Sequence, residues 1–121
     1  MADSPKRLGA IVATVTVATS AAASSGISMI LYTVPTSTSA IVSTIFICNR
    51  GISAASFRVA HVQNGVVANL TTKDYLYYDI AINGNDTFAS TSGISMSAGD
   101  SLVVLGSSTD LNFIAEGIEI T

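Results

Sequence analysis

Of the 121 residues, 49% are hydrophobic and only 11% are charged, with a net charge of −3. A typical soluble domain carries about 25% charged residues, so the chain has roughly half the usual means of keeping an isolated surface in water. Five Lys and Arg residues without a cluster exclude a phosphate-reading surface, and a single Cys excludes an internal disulfide.

In chain order, Lys6-Arg7, an apolar stretch and Ala21-Ala22-Ala23 share the layout of a secretory leader. Val15 and Val17 alternate with Thr14 and Thr16, however, and that is strand patterning. The first extended segment is therefore expected over about 8–19. The small, polar run Ser20–Gly26 reads as a hinge. No apolar run reaches the ~20 residues of a membrane helix without Ser or Thr breaking it, so no membrane span is expected.

Ile27–Val34 reads as a strand stopped by Pro35, which has no N–H for a ladder. Ser39–Cys48 is apolar at Ala40, Ile41, Val42, Ile45, Phe46 and Ile47. That predicts a central strand covered on both faces, with Cys48 a packed core thiol. Asn49-Arg50-Gly51 is a turn. Ala54–Gln63 is a strand with Phe57 and Val59 on one face and Arg58 on the other, followed by an irregular stretch to Lys73. In Asp74–Ile80, simple alternation places Leu76, Tyr78 and Ile80 on one face and Tyr75, Tyr77 and Asp79 on the other.

Asn83–Asp86 is a turn cluster, Thr87–Ser92 and Ile94–Ser97 are two short strands, and Ala98-Gly99-Asp100 turns into Ser101–Leu105. Ser107–Asp110 is the last turn and Leu111–Ile120 the last strand. About eight short strands at spacings of roughly 8–12 residues, with no helical periodicity, predict an all-β antiparallel β-sandwich. Jelly-roll order is the first expectation and immunoglobulin-like order the second. The expected organisation is an extended N-terminal arm and hinge, residues 1–26, ahead of a sandwich body, residues 27–121.

Several blocks carry a likeness. They are Leu31–Pro35, Ala40–Thr44, Ile47–Gly51, Tyr75–Asp79, Asn85–Phe88 and Glu116–Thr121. Their order and spacing over about residues 31–121 resemble a family of small structural proteins of tailed-bacteriophage virions. The resemblance implies a particle component rather than an enzyme, located in the virion. It brings no catalytic, cofactor or metal residues with it.

The residues themselves nominate little chemistry. His61 is the only imidazole and reads as a hydrogen-bonded or interface side chain, because no nucleophile and orienting acid accompany it. One His and one Cys fall short of a zinc site, and Asn83–Asp86 is better read as a turn than as a calcium loop. Asp79, Asp86 and Asp100 read as turn and strand-end residues rather than as paired acids. Tyr75 and Tyr77 are candidate interface residues, since tyrosine buries area while keeping a polar tip. A tyrosine platform for sugar is the alternative for this strand.

The expectation is a non-enzymatic capsid cement or decoration protein with no cofactor. It would bind the major capsid protein and associate with its own copies, a trimer over a local symmetry axis being the form considered. Val15 and Val17 of the arm would add a strand to a neighbour. The alternative is a tail or fibre-associated component, as a joining module or a host-surface binder. A secreted adhesin-like domain is the third reading.

Overall fold

The computed structural model describes residues 4–12, 29–63, 70–108 and 110–120. The strands are β1 (Ser4–Val12), β2 (Met29–Thr33), β3 (Ser39–Asn49), β4 (Ala55–Val62), β5 (Tyr75–Ile82), β6 (Thr87–Met96), β7 (Ser101–Gly106) and β8 (Leu111–Ile120). A 3-10 turn, Thr72–Asp74, precedes β5. Ile, Val, Thr and aromatic residues dominate these segments, as suits a pleated, half-buried surface.

Among the described residues the strands form two four-stranded sheets. The first runs β1-β8-β3-β6 and the second β2-β7-β4-β5. Every neighbouring pair is antiparallel. One core lies between them. Val42, Ile45, Ile47, Leu111 and Phe113 from the first sheet meet Phe57, Val59, Leu102 and Val104 from the second. Phe57 is the hub, with its ring centroid 5.1 Å from Phe88, 6.4 Å from Tyr77 and 6.5 Å from Phe113. Burying each such side chain contributes about 1.5–3 kcal/mol.

The expected all-β class is observed, with three corrections of detail. First, Ser4–Val12 does not leave the body as an arm. It pairs with β8 from Ser4 opposite Glu119 to Val12 opposite Asn112, as the edge strand of the chain's own sheet. β8 offers ten residues of ladder on that side, and unpaired backbone there would be costly. Residues 13–28, with Val15 and Val17, lie outside the described residues.

Second, β3 is central but is not covered twice. Val42 lies opposite Gly117 and Thr44 opposite Glu116, so Ser43 is an extra residue that reverses the alternation. Before it Ala40 and Val42 face the core; after it Ile45 and Ile47 do. Cys48 thereby falls on the outer face, half-buried, rather than in the core. Third, the two short strands expected over 87–97 are one strand, β6, interrupted by a bulge between Thr91 and Ile94 that holds Gly93 at φ +64°.

The irregularities align. Leu8 in β1 is an extra residue level with Ala115 and Glu116 of the regular strand β8, and Ser43 in β3 and Ser92-Gly93 in β6 are extra residues one position along, level with Glu116 and Gly117. Together they make a crease across the first sheet. Gly117 marks its tightest point, where a Cβ would stand 2.0 Å from the Ile41 carbonyl oxygen.

Candidate functional site

The outer face of the second sheet carries a second, smaller apolar cluster of Ala60, Val62, Leu70, Val103 and Leu105, with Tyr75 packed against it. Arg58 lies on the same face of β4 and is only 3% exposed. A buried guanidinium needs compensation. Asp79 supplies it through two bonds, Nε to Oδ1 at 2.6 Å and Nη2 to Oδ2 at 3.1 Å. The guanidinium also lies 4.0 Å from the centroid of the Tyr78 ring and 5.8 Å from that of Tyr75. The Asp79 hydrogen bonds raise the Arg58 pKa against the opposing effect of burial.

This cluster exists because β5 is bulged. Phe57 pairs with Ile80 and Val59 with Tyr77, so Tyr78 and Asp79 together oppose Arg58. Asp79 adopts φ +53° to allow it, a conformation that Asp tolerates better than most residues. A second extra residue, Leu76, lies between the Tyr77 and Tyr75 pairings. Simple alternation therefore fails along this strand, and the expected sharing of a face by Tyr75 and Tyr77 is corrected. Tyr77 points inward to Phe57 and Phe88, and its hydroxyl bonds Ser90 Oγ. Tyr75 lies on the outer face, edge-on to Tyr78 with centroids 5.0 Å apart. Burial raises the Tyr75 pKa, the Arg58 charge opposing it, and its hydroxyl is buried without a well-formed hydrogen bond. The solvent-facing tyrosine is Tyr78, at 54% exposure.

His61 is hydrogen-bonded, as expected, its Nε2 lying 2.9 Å from Asp100 Oδ2. That carboxylate also accepts the Ser97 N–H at 3.0 Å, and the Asp100 backbone ties the same turn to Val34. Ser101, the next residue, bonds Thr33 across the β2–β7 pairing, its hydroxyl 2.9 Å from the Thr33 hydroxyl. Asp79, Asp86 and Asp100 do not converge. Asp86 and Asp100 stand at opposite ends of β6, and Asp79 is committed to Arg58. Among the described residues no group of three His, Cys, Asp or Glu is placed to hold a metal ion. In the same residues no helix is long and apolar enough to cross a membrane.

The end of the sandwich opposite the His61 turn is organised by Asn49. Its Nδ2 donates to the carbonyls of Ser53 and Ile82 at 2.8 and 3.3 Å, and its Oδ1 accepts the Gly51 N–H at 3.0 Å. Backbone bonds from Asn49 to Asp86 and from Arg50 to Asp110 bring three loops together there. At the tip stands Ile52, 89% exposed, its carbonyl pressed against Gly84, where a Cβ would approach to 2.3 Å. By sequence Asn49 reads only as a turn residue. The loops it joins are distant in sequence, so no local signal marked it.

No family model, no curated protein and no solved structure matches this chain.

Proposed function

We propose that the chain is a structural protein of a tailed-phage particle, a capsid cement or decoration protein that works by contact rather than by catalysis. The observation that carries this reading is the strand order, β1-β8-β3-β6 over β2-β7-β4-β5. That order supports a jelly roll of eight strands, an architecture recurrent in viral shells and in lectins. Fold alone does not assign function. Three further features favour a building block. The chain is poor in charge. Ile52 projects from a braced loop tip. The likeness of residues 31–121 to virion proteins points the same way.

In this reading the partner is the major capsid protein, and copies associate with one another on the shell. Many modest contacts repeated over a lattice give avidity that no single contact supplies. The arm reduces to β1 and the segment carrying Val15 and Val17. Exchange of β1 onto the β8 of a neighbouring copy would preserve the observed register and link subunits. A host-surface role on a tail or fibre is the second reading, favoured by the exposed Tyr78 on its rigid support.

Copy number separates the two. Quantitative mass spectrometry of purified particles should find this chain at a shell-like stoichiometry to the major capsid protein, and imaging should place its density on the capsid exterior. A handful of copies at the tail would replace the first reading with the second. Absence from particles would end both.

A further inference from the structure

We propose that the outward face of the Tyr78 ring, backed by Arg58 and flanked by Asp79, is a stacking subsite for a neutral pyranose of a surface glycan. The inference concerns the isolated chain and does not depend on where it sits on a particle.

The ring is held in place by its neighbours. Arg58 lies 4.0 Å from one face, so the exposure of Tyr78 belongs to the other face and the rim. Tyr75 meets it edge-on, and Arg58 is locked by its two bonds to Asp79. A ligand stacking here would lose little side-chain entropy from the protein. An aromatic face is electron-rich and attracts the polarised C–H groups on the apolar side of a sugar ring.

Asp79 supplies the polar half of the subsite. Its side chain is 35% exposed, and each oxygen that accepts an Arg58 N–H retains a lone pair. Those lone pairs suit sugar hydroxyls. The Arg58–Asp79 pair has no net charge, and the chain as a whole is acidic, which disfavours an anionic sugar.

A peptide strand is a poorer fit. β5 is an edge strand, but its two bulges break the regular row of N–H and C=O groups that an added strand would need. A single subsite of this size gives weak binding, on the order of millimolar, and copies displayed together would raise it.

The test is a backbone amide NMR titration of the full chain with a fixed set of neutral oligosaccharides: trimers of glucose, mannose, galactose and N-acetylglucosamine. At least one should produce saturable shifts centred on residues 75–81. Tyr78→Ala should weaken that binding roughly tenfold or more, and Tyr78→Phe should keep it within about threefold, because stacking survives without the hydroxyl. Asp79→Asn, which tolerates the same backbone conformation, should weaken binding less than Tyr78→Ala. Tyr78 is exposed, so its two variants should keep the dispersed spectrum of the folded chain, and the same spectrum checks that Asp79→Asn, which weakens the pairing of buried Arg58, remains folded. Failure of all four sugars to bind would overturn the proposal. So would binding that persists unchanged in Tyr78→Ala, shifts confined to another surface, or a peptide panel that binds this surface where the sugars do not.

Discussion

Tyr32 donates its phenol proton to Glu119 Oε2 at 2.5 Å and so joins the two sheets at one margin of the core. Tyr32 belongs to β2, the edge of the second sheet, and Glu119 to β8 of the first, 87 residues later. Burial pushes the Tyr32 pKa well up from the ordinary 10.0, and the hydrogen bond and charge of Glu119 push it further. A neutral phenol donating to a carboxylate is a charge-assisted bond, shorter and stronger than a neutral one.

The alkaline limit of stability follows from that bond. Above pH 10 the unfolded chain releases the Tyr32 proton while the folded chain retains it. The contribution to stability is therefore complete below pH 10 and is lost as the pH rises toward the folded value. Tyr32→Phe should cost about 1–2 kcal/mol at neutral pH and flatten the loss above pH 10. Urea unfolding of both proteins from pH 7 to 11 checks it. An unchanged alkaline slope in Tyr32→Phe would assign the loss to other groups.

Asn49→Ala should destabilise by about 2–3 kcal/mol. It deletes three hydrogen bonds at a buried position and leaves the Ile82 carbonyl and Gly51 N–H needing partners. Amide hydrogen exchange should also quicken selectively around residues 49–54 and 83–86, the loops that Asn49 holds. Uniform loss of protection across both sheets would contradict this local role.

Gly117→Ala should cost about 2–4 kcal/mol, since the new methyl meets backbone, which cannot rotate away. Gly93→Asn, at the same crease, should cost well under 1 kcal/mol. Its site is open within 4 Å, and Asn tolerates a positive φ. Thermal melts of the pair decide whether the crease is limited by space or by backbone conformation.

Arg58→Met should lower stability by about 1–3 kcal/mol, and Arg58→Lys should recover only part of it. Lysine cannot reproduce the bidentate geometry or stack as a planar group on Tyr78. Full rescue by Lys would show that charge alone matters at this position.

Much of the architecture was legible from the chain. The strands of the body, except that β6 reads as two short strands, their turns and the antiparallel class follow from β-branched and aromatic runs cut by Gly, Asn and Pro. The faces were legible only where strands are regular. Along β8, Leu111, Phe113 and Ala115 alternate inward without interruption. Along β3 an extra residue at Ser43 reversed the alternation, along β5 bulges at Leu76 and Asp79 broke it, and Cys48 and Tyr78 moved to faces that period-two counting did not give them. Nothing in the local composition marks those bulges, because Ser and Asp are equally at home in ordinary strands' ends and turns.

What the residues determined by themselves is the all-β class, the apolar inventory of the core and the shortage of ionic chemistry, since these depend on composition and local pattern. Tertiary structure alone decided that Ser4–Val12 closes onto β8, that Arg58 meets Asp79 beneath Tyr78, and that Asn49 gathers three loops. Each of these joins groups far apart in sequence or in register, and such a pairing is selected by the free energy of the whole packed molecule rather than by any one segment's preference.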